Sequence, residues 1–254
     1  MLIEQSFVLD KRLSGSQNWW GGRYSYTWSN TKDNQYGESN VYAWATRTPQ
    51  NNYDLAAEYA TSIYDSPHRI ILAPIVRLPG PKSSSGLSYV LGGWNASAVV
   101  ELVSGGPLNA VLSSGASDAN LGLFGGRQRP NLTGDPSTSG SDEDRVSSAA
   151  HPDARYFNAA AFANPGPGQY GTAPRTIDSA RNQFRKNIDL VFAKETRFAG
   201  GNMGEIRFEI LNLTNTAKFG NEATNNAINT SSFGRIGTQA GFMQIWQLTF
   251  RYRF

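Results

Sequence analysis

Phe242-Met-Gln-Ile-Trp-Gln-Leu-Thr-Phe-Arg-Tyr-Arg-Phe254 is the stretch whose alternation decides the fold class. Side chains alternate across an extended strand, so Trp246, Leu248, Phe250, Tyr252 and Phe254 share one face, and Gln247, Thr249, Arg251 and Arg253 share the other. An edge strand of a soluble sandwich alternates too. Here the apolar face is almost wholly aromatic and the polar face carries two arginines. An outward aromatic face, an inward polar face and a length of about ten residues fit a strand of an outer-membrane β-barrel.

The same period of two recurs upstream. Residues 3–10 place Ile3, Phe7 and Leu9 on one face. In 19–29, Trp20, Tyr24, Tyr26 and Trp28 oppose Arg23, Ser25, Thr27 and Ser29. In 68–78, Ile70, Leu72, Val76 and Leu78 alternate with Arg69 and Arg77, although Ile71 and Ile75 blur the pattern. Segment 94–103 sets Trp94, Ala96, Ala98, Val100 and Leu102 against Asn95, Ser97 and Glu101. Segment 187–198 sets Ile188, Leu190, Phe192 and Phe198 against Asn187, Asp189, Glu195 and Arg197. Segment 205–213 sets Ile206, Phe208 and Ile210 against Glu205, Arg207 and Glu209. With the terminal strand these make about seven.

The connections alternate in length. Residues 11–18, 79–93 and Ala199-Gly-Gly-Asn202 are short or moderate and rich in Ser, Gly or Pro; residues 30–67, 105–186 and 214–241 are long. Barrels join their strands by short periplasmic turns and long external loops, and counting back from a periplasmic C-terminus puts every long loop outside. Asp54 to Tyr64 also alternates, through Leu55, Ala57, Tyr59 and Ile63, and is expected to extend a strand above the membrane. The 105–186 stretch, rich in Gly, Ser, Pro, Asp and Asn, is expected to be a long extracellular loop. The fold expected is all-β, an antiparallel transmembrane β-barrel segment forming an open arc of a larger barrel.

Composition sets outer bounds. Of 254 residues, 39 % are hydrophobic and 12 % aromatic, with 26 Gly and no Cys. No run of about 18 apolar residues exists, so no spanning helix is expected, but a barrel needs only every second residue to face lipid. Without cysteine there is neither a disulfide framework nor a thiolate metal site. The net charge of +3 comes from positive residues scattered along the sequence, so no nucleic-acid partner is expected. Met1-Leu-Ile-Glu-Gln-Ser6 lacks a basic segment followed by an apolar one, so no secretion signal is visible. A barrel must be exported, so either the chain is soluble or it is the C-terminal piece of something longer.

Motifs for chemistry are weak. Gly166-Pro-Gly-Gln-Tyr-Gly171 has the dinucleotide-binding spacing, but no apolar strand precedes it and Pro167 interrupts it, so no cofactor is expected. Asp142-Glu-Asp144 has no further oxygen ligands at loop spacing, and reads as a solvated acidic loop rather than a metal site. With two histidines, no nucleophile elbow and no Cys, no catalytic triad assembles, and the chain is not expected to be an enzyme. Asp65, His68 and Arg69 read as a hydrogen-bonded cluster at the barrel rim.

Several segments together resemble the C-terminal part of TonB-dependent outer-membrane receptors of the Oar-like type. They are Ser25-Tyr-Thr-Trp-Ser29, Asp65-Ser-Pro-His-Arg69, Gly92-Gly-Trp94 with Ser104-Gly-Gly-Pro107, Arg129-Pro-Asn-Leu-Thr-Gly-Asp-Pro136 and Tyr156-Phe-Asn-Ala-Ala-Ala-Phe162. Further on come Asn187-Ile-Asp-Leu190, Phe208-Glu-Ile-Leu-Asn-Leu-Thr-Asn215 with Phe219-Gly220, Phe233-Gly-Arg-Ile236 and the terminal strand. They occur in the family's order over about residues 20–254. One departure is Thr216-Ala-Lys218, where the family usually has His-Pro. The resemblance implies a 22-stranded barrel with an N-terminal plug that binds TonB; plug, TonB box and about fifteen strands lie outside this sequence. It implies uptake of a scarce ligand (carbohydrate, siderophore or peptide), contact with outer-membrane lipid, and recognition of Trp246, Leu248, Phe250, Tyr252 and Phe254 by the barrel-assembly machinery. The lumen wall would carry Arg23, Glu101, Asp189, Arg197, Arg207, Glu209, Arg251 and Arg253. The rival architectures are a soluble or surface β-sandwich that binds carbohydrate, and a small complete barrel.

Overall fold

A computed structural model describes residues 1–14, 18–34, 49–80, 90–112, 128–139, 144–146, 151–219, 226–236 and 239–254. The strands, in chain order, are β1 (Leu2–Lys11), β2 (Trp20–Asp33), β3 (Ala60–Thr61), β4 (His68–Arg77), β5 (Trp94–Val103), β6 (Pro107–Leu108), β7 (Asn131–Leu132), β8 (Phe162–Ala163), β9 (Ile177–Arg181), β10 (Arg185–Arg197), β11 (Met203–Leu211) and β12 (Ile245–Arg253). Seven long ones form one antiparallel meander in the order β1-β2-β4-β5-β10-β11-β12. They coincide with the seven alternating segments to within a few residues. The fold is all-β and antiparallel, and the strands are linked along the sheet in simple succession.

Register carries the alternation from one strand to the next. Residues directly opposite in an antiparallel pair point to the same face. Leu9, Tyr24, Leu72, Val100 and Ile188 therefore form one apolar row. Trp20, Val76, Ala96, Phe192, Phe208 and Leu248 form another. The face they build is continuous from β1 to β12. It stays open: Phe7, Trp246 and Phe250 are 68 %, 62 % and 70 % exposed. Among the described residues no second large sheet packs on it, which is not the architecture of a sandwich with aromatics buried between two sheets.

Two local devices keep the long strands regular. Gly22, at φ +144°, sits opposite Pro74. A Cβ there would come within 2.5 Å of the Ala73 carbonyl oxygen, so only glycine lets β2 and β4 approach where Pro74 lacks a donor. At the other end of the sheet, Asn212 and Asn215 hold positive φ of 53° and 47°, a conformation asparagine tolerates better than most residues. Asn212 donates through Nδ2 to the Thr216 and Phe242 carbonyls, and Asn215 Oδ1 accepts from the Gln244 amide at 3.1 Å. The two asparagines thus tie the exit of β11 to the approach of β12.

The buried apolar core lies away from the long strands. Leu108, Ala110, Tyr156, Phe157, Ile177, Ala180 and Phe233 cluster together, with Phe162, Ile228 and Ile236 packed against them. The described residues of the 105–186 stretch therefore form a folded lobe with short sheets of its own, β6–β9 and β7–β8. Its aromatics made this invisible as periodicity: Phe157 stacks on Phe233 at 5.0 Å and both meet Phe162 edge-on. Residues 54–64 extend the sheet in part. Ala56–Glu58 is a 3-10 turn, and only β3 extends the sheet, pairing Thr61 with Lys32 and Ala60 with Asp33 above the main ladder.

Candidate functional site

Two surfaces carry charge: the polar face of the sheet and the lobe at its long-loop end. On the sheet, arginines find acids across strands or along them. Arg23 meets Asp10 at 3.7 Å, Arg69 meets Glu101 at 3.5 Å, Arg207 meets Glu209 at 2.7 Å and Arg251 meets Glu205 at 3.2 Å. These exposed pairs contribute about 0.2–1 kcal/mol each; together they keep a wet wall charged yet locally balanced. Arg23, Glu101, Arg207, Glu209 and Arg251 all lie on this face. Arg197 and Arg253 share it and flank Met203 in register.

Asp189 is on the same face but is already engaged. Its Oδ1 accepts from the Asn212 amide at 2.8 Å and its Oδ2 from Asn187 Nδ2 at 2.9 Å. It anchors the turn after β11 instead of standing free for a ligand. The polar face is also less uniform than its charged residues suggest. Ile71, Ile75, Val99 and Val191 share it, and Ile75 and Val99 are exposed.

The apolar face has one cation in its middle rows, Lys194, set between Trp94 and Ile206. Its Nζ bends down to the Val90 and Gly92 carbonyls at 3.0 and 2.5 Å and lies 5.8 Å from the Trp94 ring centre. Lys11 makes the same move, with Nζ 3.2 Å from the centre of the Trp20 ring. Both are snorkelling lysines, stems along the apolar surface and heads at the short-turn end. On β12, Trp246, Leu248, Phe250 and Tyr252 project together from the sheet's open edge, with Phe254 following; Trp246 packs edge-on against Phe208 at 5.5 Å.

The lobe is locked by buried ion pairs that no spacing in the sequence announces. Glu58 is 1 % exposed and bonds Arg129 at 2.6 Å. Its Oε1 accepts from the Gln50 amide, and Gln50 in turn accepts from the Arg129 amide at 2.6 Å and donates to the Gly171 carbonyl. Arg175 donates to the Glu58 carbonyl at 3.0 Å and to Asp33, at the far end of β2. Arg181 binds Asp65 at 2.9 Å and also Asp178. Asp65 Oδ1 accepts from the Thr31 amide at 2.7 Å. Two long loops, 30–67 and 105–186, are thereby pinned to each other and to β2.

The expected Asp65, His68 and Arg69 cluster does not form. Asp65 belongs to this lock, His68 Nδ1 pairs with the Tyr26 hydroxyl at 2.9 Å, and Arg69 turns to Glu101. Their side chains leave the chain in different directions, so sequence adjacency brought no contact. Gly166–Gly171 is a turn, with Gly168 at φ +71°. Asp142 and Glu143 lie outside the described residues; Asp144 faces His151 at 3.8 Å. No group of acids and histidines that could hold a metal occurs among the described residues. An open recess of about 490 Å³ on the lobe is lined by Ser137, Thr138, Asp144, Arg145, Asp153 and Arg155, among others.

No curated protein matches the chain, and no solved structure does. The family model described as outer membrane beta barrel domain matches residues 7–247, which hold β2 to β11, the lobe, half of β1 and the start of β12, so the chain belongs to that family and is a protein of the outer membrane.

Proposed function

We propose that this chain is the C-terminal wall of a TonB-dependent receptor that takes up a scarce ligand through the outer membrane. The observation that carries it is the lobe at the long-loop end, folded on its own core and pinned by Glu58–Arg129, Arg175–Asp33 and Arg181–Asp65. A passive pore gains nothing from ordering so much chain at its mouth. A receptor gains affinity, because a preorganised surface avoids the entropy cost of ordering loops on binding. The charged polar face then forms the lumen wall, and the plug that contacts TonB belongs to the part of the protein outside this sequence. The role assigned is transport, with no catalysis. The unpaired edge of β12 suits strand addition by the barrel-assembly machinery, in which backbone bonds give affinity and alternate side chains give specificity.

The test is genetic. In one host, loss of the gene carrying this chain and loss of TonB should abolish uptake of the same labelled compound from a panel of oligosaccharides, ferric siderophores and peptides. Uptake that needs the gene but survives loss of TonB would replace active transport with a passive pore.

A further inference from the structure

Four arginines far apart in the sequence meet at one rim. Arg77, Arg197 and Arg253 are the last residues of β4, β10 and β12, and Arg12 follows the last residue of β1. These are the strands that run toward the short connections, and in the sheet order they occupy every second position. With strands ~4.8 Å apart and ~3.3 Å per residue along them, register puts Arg12 and Arg77 ~12 Å apart, Arg77 and Arg197 ~16 Å apart and Arg197 and Arg253 ~10 Å apart, along an arc of ~37 Å. Arg77, Arg197 and Arg253 lie on the polar face, and Arg12 continues the parity of Asp10. All four are exposed.

Their surroundings differ from those of the arginines higher on the same face. Arg23, Arg69, Arg207 and Arg251 each have a carboxylate partner. The four rim guanidiniums have none among the described residues. The connections beside them, residues 12–19, 78–93 and 198–202, contain no Asp or Glu. The negative groups that register puts nearby are Asp10, Glu195 and Glu205, each one pleat above the rim, and the main-chain carboxylate of Phe254; Asp10 and Glu205 are engaged by Arg23 and Arg251. In an outer-membrane barrel the short-turn end faces the periplasm, so the collar lines the inner edge of the periplasmic mouth.

We infer that this collar is a docking surface for an acidic polypeptide lying across the periplasmic mouth. Cations spaced ~10–16 Å apart match carboxylates about three to five residues apart on an extended chain, at ~3.3 Å per residue. A small anion is held by donors that converge on it, and these are strung along a rim. Lipid headgroups meet the opposite face, where Lys11 and Lys194 already turn toward the rim. The placement rests on the membrane family and the loop lengths, and does not depend on TonB-driven uptake.

The experiment uses the full-length protein that carries this chain, folded into phosphatidylcholine nanodiscs, and a fluorescent twelve-residue peptide, (Glu-Ser-Thr)₄, read by anisotropy. The parent should bind it at low salt and lose affinity as salt screens the contacts. The R12Q/R77Q/R197Q/R253Q variant should bind at least tenfold more weakly, each single variant about two- to threefold more weakly, and Arg69→Gln like the parent. Heat-modifiable gel mobility certifies folding of every variant; should the quadruple variant fail it, the four single variants decide. Affinity within twofold of the parent in the quadruple variant, or in all four singles, overturns the proposal. So does citrate binding, or binding to phosphatidylglycerol vesicles, that needs the four arginines when peptide binding does not.

Discussion

Replacing Glu58 by Gln keeps the shape of the side chain and removes its charge, leaving the Arg129 guanidinium in a site that is 5 % exposed. Two unit charges about 4 Å apart attract by about 4 kcal/mol at an effective dielectric of 20, and removing one partner of a buried pair typically costs about 3–5 kcal/mol. At 1.4 kcal/mol per tenfold change, opening of the lobe should become roughly 10²- to 10³-fold more frequent. Gln50 and Arg175 also hold the Glu58 segment, so the loss should spread through the lobe. The long strands do not share the lobe's core and should stay folded. Outer membranes exposed to protease should therefore show cleavage within residues 49–67 and 105–182 rising by that factor, with heat-modifiable barrel unchanged. A Glu58→Leu/Arg129→Met double variant should recover most of the resistance, because a well-packed apolar pair does as well as a buried ionic one. Cleavage within threefold of the parent, or loss of the barrel along with the lobe, would refute the idea of an independently locked lobe.

Adjacent residues on β4 test the two faces: Leu72→Arg should destabilise the barrel in bilayers by about 2–4 kcal/mol, and Ile71→Arg by less than about 1 kcal/mol, in urea titrations followed by tryptophan fluorescence. Phe233→Ala, which removes a ring that is 2 % exposed and stacked on Phe157, should cost the lobe about 3–5 kcal/mol, seen as faster protease cleavage with intact barrel mobility. Gly22→Ala should destabilise more than Gly204→Ala, since the first Cβ meets backbone at 2.5 Å and the second meets the Phe198 ring edge at 2.9 Å; comparative unfolding in detergent settles the order. Deleting Phe254, or changing Tyr252 and Phe254 to Ser, should lower the amount of folded barrel in outer-membrane fractions of the parent protein, and equal amounts would remove the assembly signal.

The strands were legible because lipid on one side and water on the other impose a period of two, and nothing else in the chain needs to be known. The lobe was not, because its contacts join residues such as Glu58 with Arg129 and Arg181 with Asp65 across long separations. Ion pairs at such distance leave no spacing to read. The collar shows a third situation: Arg12, Arg77, Arg197 and Arg253 look scattered in the sequence, and only strand direction brings them to one rim. Asp189 marks a limit of the alternation itself, which gives a side chain's face and not its partner.

The meander has one consequence for assembly that follows from arithmetic alone. Direction reverses at each step from β1 to β12, and an uneven number of long strands leaves the two outermost ones pointing the same way. Were β1 and β12 to join, they would pair in parallel, with slanted and weaker hydrogen bonds. Bacterial outer-membrane barrels have an even strand count and antiparallel neighbours throughout. A closed wall of that kind built on this sheet must therefore recruit an odd number of further strands, so that the first and last of them each run opposite to the edge they meet.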